Sequence, residues 1–243
     1  MNYQKNEKPS KRTVDLNNQR KKSYKRLLSG AGRSAEKESI YEKIINRNPI
    51  HLSFAYCALL KLSGVKVGRN VKFRGKLNVK LRGKPSNIII GDDVVFGKNV
   101  DLRNRENGKI ILSDRVYLDD GVRIIAARDG KVEIGVGSEL GSNTIINSGG
   151  ITEIGEFCMI AGNVQMHAQN HETSKDKYIK DQLYEYGRIT IGSDVWIGSF
   201  STILVNSIIG EGAVVGANSM TKGKIPDFAI CVGCPAKVIR HRE

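Results

Sequence analysis

Aromatic residues supply only 6% of this 243-residue chain, tryptophan occurs once, and proline occurs five times. That scarcity excludes a core built on stacked rings. Glycine is plentiful, at 26 residues. The balance favours a regular, repetitive architecture packed with small aliphatic side chains. Long hydrophobic runs are missing as well. Residues 1–22 have no apolar core, which argues against a secretory signal. The longest apolar run, residues 50–62 (IHLSFAYCALLKL), is interrupted by His51, Ser53 and Lys61 and is too short to span a bilayer. The expectation is a cytoplasmic protein, with contact to the inner face of the membrane left open.

Cysteine is equally sparse: Cys57, Cys158, Cys231 and Cys234. Cys57 and Cys158 sit among apolar neighbours and read as buried thiols. Cys231 and Cys234 form a CxxC, but zinc would need two further ligands and only His241 is near in sequence. No βαβ context suggests a redox pair. No metal is expected.

Positive charge is in surplus. The formal net charge is +14, and residues 1–50 hold 13 Lys/Arg against 5 Asp/Glu. The bias therefore belongs mainly to an N-terminal arm, residues 1–64. Within it, 1–24 read as disordered, 25–47 as two short helices and 50–62 as one more helix. That last helix could cap the main domain or rest on a membrane surface. The arm could meet an anionic polymer, anionic lipid or only water. No stacking aromatics or nucleic-acid motif support nucleic acid as a partner.

From Val67 onward, apolar residues recur at every sixth position, often followed by glycine. Val67, Phe73 and Val79 form one set; Ile90, Phe96 and Leu102 the next; then Leu112, Leu118 and Ile124. Ile134, Leu140 and Ile146 follow, then Ile154, Ile160 and Met166. After a gap come Ile191, Ile197 and Ile203, then Ile209, Val215 and Thr221. Period six is neither 3.6 nor 2. A triangular prism explains it: each hexad gives one short strand and one corner, and three hexads make a coil. The apolar residue points inward, the small residue after it permits the corner, and coils stack to bury one another. The domain reads as residues 65–225, with a tail at 226–243. The gap implies an excursion at about 168–188, and long loops on economical scaffolds are usually functional.

Three segments make the pattern specific: GNVQMHAQNH (162–171) before the excursion, ITIGSDVWIGSFSTIL (189–204) after it, and VGCPAKVIR (232–240). Together with the hexads they resemble the hexapeptide-repeat acyltransferases, over roughly residues 65–243. The similarity is to galactoside and maltose acetyltransferases and to the sugar O-acetyltransferases of surface-polysaccharide synthesis. It implies a mainly β fold, the left-handed parallel β-helix. It also implies acetyl-CoA as co-substrate, a carbohydrate acceptor and a homotrimer with sites between subunits. A histidine general base suits proton removal from a hydroxyl near neutral pH, and the resemblance puts it at His171. His167 falls one place after the inward Met166 and is expected to face outward. The resemblance places the oxyanion donor at the backbone N–H of Ser199 and lines the acyl site with Trp196. Coenzyme contacts fall at Ser199, Ala217, Lys222, Lys237 and Arg240, where fixed cationic donors suit phosphate.

Two departures stand out. Related sequences carry Asp-His-x-His where this chain has Ala168-Gln169-Asn170-His171, so Glu172 or a backbone carbonyl is left to orient the base. The stretch MTKGKIPD (220–227) displaces its lysine by one place. Other functions stay open at this stage. An amino sugar nucleotide could be N-acetylated by the same machinery. A γ-type carbonic anhydrase would need three histidines on zinc, and only His167 and His171 lie within the prism. Hexads alone would also allow a non-catalytic scaffold.

Overall fold

A computed structural model describes residues 49–243 of the chain, and Asn48–Glu243 cluster as one compact unit. The segments expected to be disordered (1–24) or helical (25–47), and with them most of the basic arm, lie outside the described residues. Three sheets of eight, nine and seven strands form the faces of a prism, and the chain visits them in turn. Every pairing within these faces is parallel except the last of the second face. No helix among the described residues is long and apolar enough to cross a membrane.

The ladder register follows the hexads residue for residue. On the first face Val67, Ile90, Leu112, Ile134, Ile154, Ile191 and Ile209 stand opposite one another in succession. On the second, the rungs are Phe73, Phe96, Leu118, Leu140, Ile160, Ile197 and Val215. On the third they are Val79, Leu102, Ile124, Ile146, Met166, Ile203 and Thr221. Nearly all are buried, each aliphatic one contributing about 1.5–3 kcal/mol of transfer free energy. Period six alone was enough to set register because each coil is the template for the next.

Two ladders run one rung further than the hexads suggested. Ile225 continues the first and Cys231 the second. The segment from 226 onward therefore contains strand Ala229–Val232, which extends the second face, and strand Lys237–His241, which turns back antiparallel beside it. Cys231 points into the prism while Cys234 is exposed, so the two thiols of the CxxC face different environments. Burial pushes the Cys231 thiol above its ordinary range.

The glycine after each inward residue has a different reason from the one expected. A Cβ on Gly135 would lie 2.5 Å from the carbonyl carbon of Gly155 in the next coil. These glycines let successive coils stack closely. The left-handed backbone of the corner falls two residues later, as at Asn70, Asn99, Asn143 and Asn218, where asparagine tolerates it at low cost. Buried hydroxyls complete the corners. Ser138 Oγ donates to Gly155 O (2.8 Å) and accepts from Cys158 N–H (2.9 Å). Thr144 Oγ1 repeats the pattern with Ala161 O and Val164 N–H at 2.9 and 3.3 Å.

Helix Pro49–Leu62 lies against the first rungs. Ser53 Oγ accepts the Phe73 N–H at 3.0 Å, and the Tyr56 ring sits 5.2 Å from that of Phe73, which stacks on Phe96 at 4.9 Å. Its opposite side leaves Phe54, Leu59 and Leu62 exposed.

One buried charge on the third face gives a pH-dependent test. Asp101 is paired with Arg103 and lies 3.5 Å from Arg123 Nε. The hydrogen bond from Arg103 holds the Asp101 carboxyl below its ordinary value. A lowered folded-state value adds stability above the unfolded pKa of about 3.9. That stability is lost as pH falls through the folded value. Asp101→Asn should therefore cost on the order of 1 kcal/mol at pH 7, and the deficit should close below the ordinary aspartate range. Urea unfolding of both proteins at pH 7 and pH 3 measures it; an equal deficit at both would refute the assignment.

Candidate active site

The prism is interrupted once by a long excursion. After third-face strand Gln165–His167 the chain leaves as strand Gln169–His171, returns as Tyr184–Tyr186, and rejoins the first face at Arg188–Ile191. The two strands pair antiparallel, Gln169 opposite Tyr186 and His171 opposite Tyr184. At the root, Gly187 N–H donates to Ala168 O at 3.0 Å; further out, Glu172 N–H donates to Leu183 O at 3.0 Å. The tip is organised by Gln182, which is buried. Its Oε1 accepts the Ser174 N–H (2.7 Å), and its Nε2 donates to the carbonyls of Ser174 (2.9 Å) and Lys177 (3.0 Å). Alternation along the strands puts Gln169, His171, Tyr184 and Tyr186 on one face of the hairpin. That face rests on Gly149, where a Cβ would meet Gln169 Oε1 at 2.3 Å and the Tyr186 ring at 2.5 Å.

His171 is thus the last residue of the outgoing strand, half-buried, with its ring centroid 4.0 Å from that of Tyr184. Asn170 Oδ1 accepts the His171 backbone N–H at 3.0 Å. The ring Nδ1 is buried and takes no hydrogen bond among the described residues. Among the described residues neither Glu172 nor a backbone carbonyl hydrogen-bonds the ring; the Tyr184 ring packs against it, tilted by 41°. His167 follows inward-facing Met166 and stands half-buried on the outer side of the third face. Desolvation pulls its pKa down. Tyr184 and Tyr186, 6.1 Å apart, extend the aromatic surface away from His171. Sequence reading passed over both, although the alternation in Tyr184-Glu185-Tyr186 is the strand signal that could have found them.

The other expected residues gather elsewhere on the prism. Trp196 lies on the outer side of the second face, 53% exposed, in register between Met159 and Val214. Ser199 follows at the corner between the second and third faces, with Ala217 stacked beneath it in the next coil. Asn218 N–H donates to Ser199 O (2.9 Å), and a Cβ on Gly198 would touch Ala217 N at 2.5 Å. The backbone N–H groups of Ser199 and Ala217 make no hydrogen bond among the described residues. An equivalent amide earlier on this corner, Lys98 N–H, is taken by Asp120 Oδ1 at 2.6 Å. Two adjacent free donors on rigid backbone are suited to a developing oxyanion or a ligand carbonyl. Lys237 and Arg240 are exposed on the last strand of the second face, opposite Val232 and Ile230. Trp196, Ser199, Ala217, Lys237 and Arg240 are therefore brought together along the late coils. Lys222 is not among them: it is exposed after third-face strand Met220–Thr221, at the far end of that face. His171 also departs from that far end. Within one chain, the Ser199 corner and the root of the His171 hairpin stand at opposite ends of the third face.

Comparison with known proteins gives a consistent result. Residues 188–223 match the family model described as bacterial transferase hexapeptide, six repeats. Rv3034c of Mycobacterium tuberculosis, an acetyltransferase by name, is 32% identical over 167 residues, covering 67% of this chain and 55% of that protein. WbbJ of Escherichia coli, by name an O-acetyl transferase of lipopolysaccharide biosynthesis, is 31% identical over 161 residues, covering 63% of this chain and 71% of WbbJ. The galactoside O-acetyltransferase of Escherichia coli is 35% identical over 98 residues, covering 40% of this chain and 47% of that enzyme. The chain thus spans about half the length of two of these relatives and over two thirds of WbbJ. Among solved structures, a point mutant of AntD, an N-acyltransferase from Bacillus cereus crystallised with dTDP and coenzyme A, superposes with a TM-score of 0.53 at 24% identity. It covers 76% of this chain and 89% of AntD. The polysialic acid O-acetyltransferase OatWY gives 0.51 at 19% identity over 72% of this chain and 88% of that one. These two likenesses establish the fold, the left-handed parallel β-helix.

Proposed function

The chain belongs to the hexapeptide-repeat acyltransferase family, and on that footing we propose that it moves an acetyl group from acetyl-CoA to a hydroxyl of a sugar or surface polysaccharide. The observation that carries this reading is His171, fixed against Tyr184 on the one long excursion of the prism. In the proposed reaction His171 takes the acceptor's hydroxyl proton as the oxygen attacks the thioester carbonyl. The tetrahedral oxyanion is held by the Ser199 N–H. The C–S bond then breaks, and the coenzyme thiolate leaves with the proton returned by His171. Both carbon–oxygen and proton balances close without a covalent enzyme intermediate. Cys158 is no nucleophile here, since burial pushes its thiol up to about 11. Trp196 lines the acyl group, and Ala217, Lys237 and Arg240 contact the coenzyme; Lys222, at the far end of the third face, stands apart from them within one chain.

Sugar O-acetylation is favoured by the names of WbbJ and the galactoside enzyme. A homotrimer is supported by the separation of the two half-sites. The hairpin root and the Ser199 corner are divided by one third-face edge, residues 163–168 in the coil that carries the hairpin, about 15 Å of extended chain. A neighbouring copy would bring one chain's His171 to another chain's Ser199.

Calorimetric titration with acetyl-CoA tests the reading without knowledge of the acceptor. The wild type should bind with Kd of about 1–100 μM. Lys237→Ala/Arg240→Ala should weaken binding by about tenfold, as expected for two lost phosphate contacts at an exposed site. A folded protein that does not bind the coenzyme overturns the proposal.

A further inference from the structure

Where the hairpin rejoins the prism there is a hollow of about 650 Å³, lined by Arg128, Asp129, Tyr186, Arg188 and Asn206 and backed by glycine backbone at 149 and 150. Its volume is within the range of small-molecule sites. We propose that it seats an acidic sugar, a pyranose bearing a carboxylate or a phosphate ester, as the acceptor of the transfer. This rests on the acetyltransferase reading and adds the class of acceptor to it.

Arg128 is the centre of the case. Its guanidinium lies over the Tyr186 ring, 5.2 Å from the centroid, and it makes no ion pair with any carboxylate among the described residues. Its backbone N–H, by contrast, is tied to Glu106 across the coil below. A guanidinium held over an aromatic ring without a carboxylate partner keeps N–H groups available, and its planar fork can take a carboxylate or phosphate by two parallel bonds. Arg188 brings a second guanidinium, steadied by Glu153 at 2.7 Å. Glu153 is itself shared with Lys131 at 2.7 Å.

The remaining polar groups fit the rest of a sugar. Asp129 is the one acid on the lining, and its Oδ1 accepts from Asn107 Nδ2 at 2.8 Å, which orients the carboxylate. Asp129 and Asn206 offer planar acceptors and an amide donor for ring hydroxyls. Position links the hollow to the chemistry. Tyr186, on its wall, is followed by Tyr184 at 6.1 Å and His171 at a further 4.0 Å along the same hairpin face. From Gln169, opposite Tyr186, to His171 is two residues of strand, about 7 Å. A pyranose seated beside Tyr186, with its anionic group at Arg128, lies on the hairpin face that leads to His171.

The test uses three matched probes: glucose, glucuronate and glucose 1-phosphate, titrated into the full chain and followed by ligand-observed NMR. At least one acidic sugar should bind about tenfold or more tightly than glucose, and the one that does identifies the group the hollow prefers. Arg128→Gln and, separately, Arg188→Gln should each remove that preference. Both side chains are exposed, and unchanged acetyl-CoA binding shows that each variant is folded. Equal affinity for all three sugars, no binding of either acidic sugar, or an acidic preference that survives in both variants overturns the proposal. Loss of acetyl-CoA binding by the wild type would instead refute the transferase reading, so the two failures are distinguishable.

Discussion

His171→Ala should lower kcat by about 10²- to 10⁴-fold, the usual worth of a positioned general base, while leaving the Kd for acetyl-CoA within about twofold of wild type. The separation of the two effects follows from the fold. His171 is on a hairpin that leaves the far end of the third face, whereas the free N–H groups of Ser199 and Ala217 and the cations Lys237 and Arg240 lie along the second face and its near corner. Within one chain the imidazole makes no contact with the coenzyme's corner, and across the proposed subunit interface it meets the acceptor's hydroxyl, not the coenzyme's nucleotide. Turnover can be followed by release of the coenzyme thiol in the presence of sugar acceptors, and affinity by calorimetry. His167→Ala is the matched control. That ring is on the outer side of the third face, and its pKa is pulled down by desolvation, which makes it a poorer proton acceptor. It should change kcat by less than about threefold. If the two variants lost activity equally, or if His171→Ala kept full turnover, the base would have to be sought elsewhere.

How much of this was legible in the sequence depended on what kind of force fixed each feature. The three inner ladders were readable from Val67 to Thr221 because a prism repeats one environment, so a single period predicts each register over that stretch. Phe73 on Phe96 and Ile134 on Ile154 need no long-range information beyond counting by six. The extra rung at Ile225 and Cys231 escaped because the last coil is short: Ile209 to Ile225 and Val215 to Cys231 are each 16 residues apart, which breaks the count by six. The glycines were seen but misassigned: their lack of a Cβ serves coil-to-coil approach, as at Gly135, and left-handed backbone falls two places on. The hairpin was visible only as surplus length. Its pairing depends on Gln182 gathering the tip and on Gly149 admitting Gln169 and Tyr186, contacts with no period to announce them. For the same reason the sequence pointed to His171 yet offered Glu172 or a carbonyl to orient it, where the structure packs Tyr184 against the ring.

The hairpin's dependence on its seat leads to the second large expected effect. Gly150→Ala should destabilise the protein by about 1–3 kcal/mol, the cost of forcing an extra methyl into packed backbone. It should also lower kcat by about 100-fold, since a base displaced by an ångström can lose that much. A Cβ at residue 150 would lie 2.0 Å from Gly187 O and 2.8 Å from Ala168 O. Those are backbone atoms at the two roots of the hairpin, joined to each other by the Gly187 N–H bond to Ala168 O. Gly150 cannot retreat, because its own carbonyl accepts from Lys131 N–H and from Ser148 Oγ, both at 2.8 Å. The root must move instead, and His171 and Tyr184 move with it. Gly187→Ala makes the comparison sharp. Its added Cβ would meet Asn206 Oδ1 and Val205 Cγ2 at 2.5 Å, side-chain atoms that can rotate aside, so its effect on turnover should be several-fold smaller. Acetyl-CoA affinity should survive in both variants, because the donors at Ser199 and Ala217 belong to another corner. Thermal unfolding, turnover and calorimetry on the pair decide it. If Gly150→Ala matched wild type in both Tm and kcat, the root of the hairpin would be free to shift without cost, and the rigid placement of His171 would need a different support.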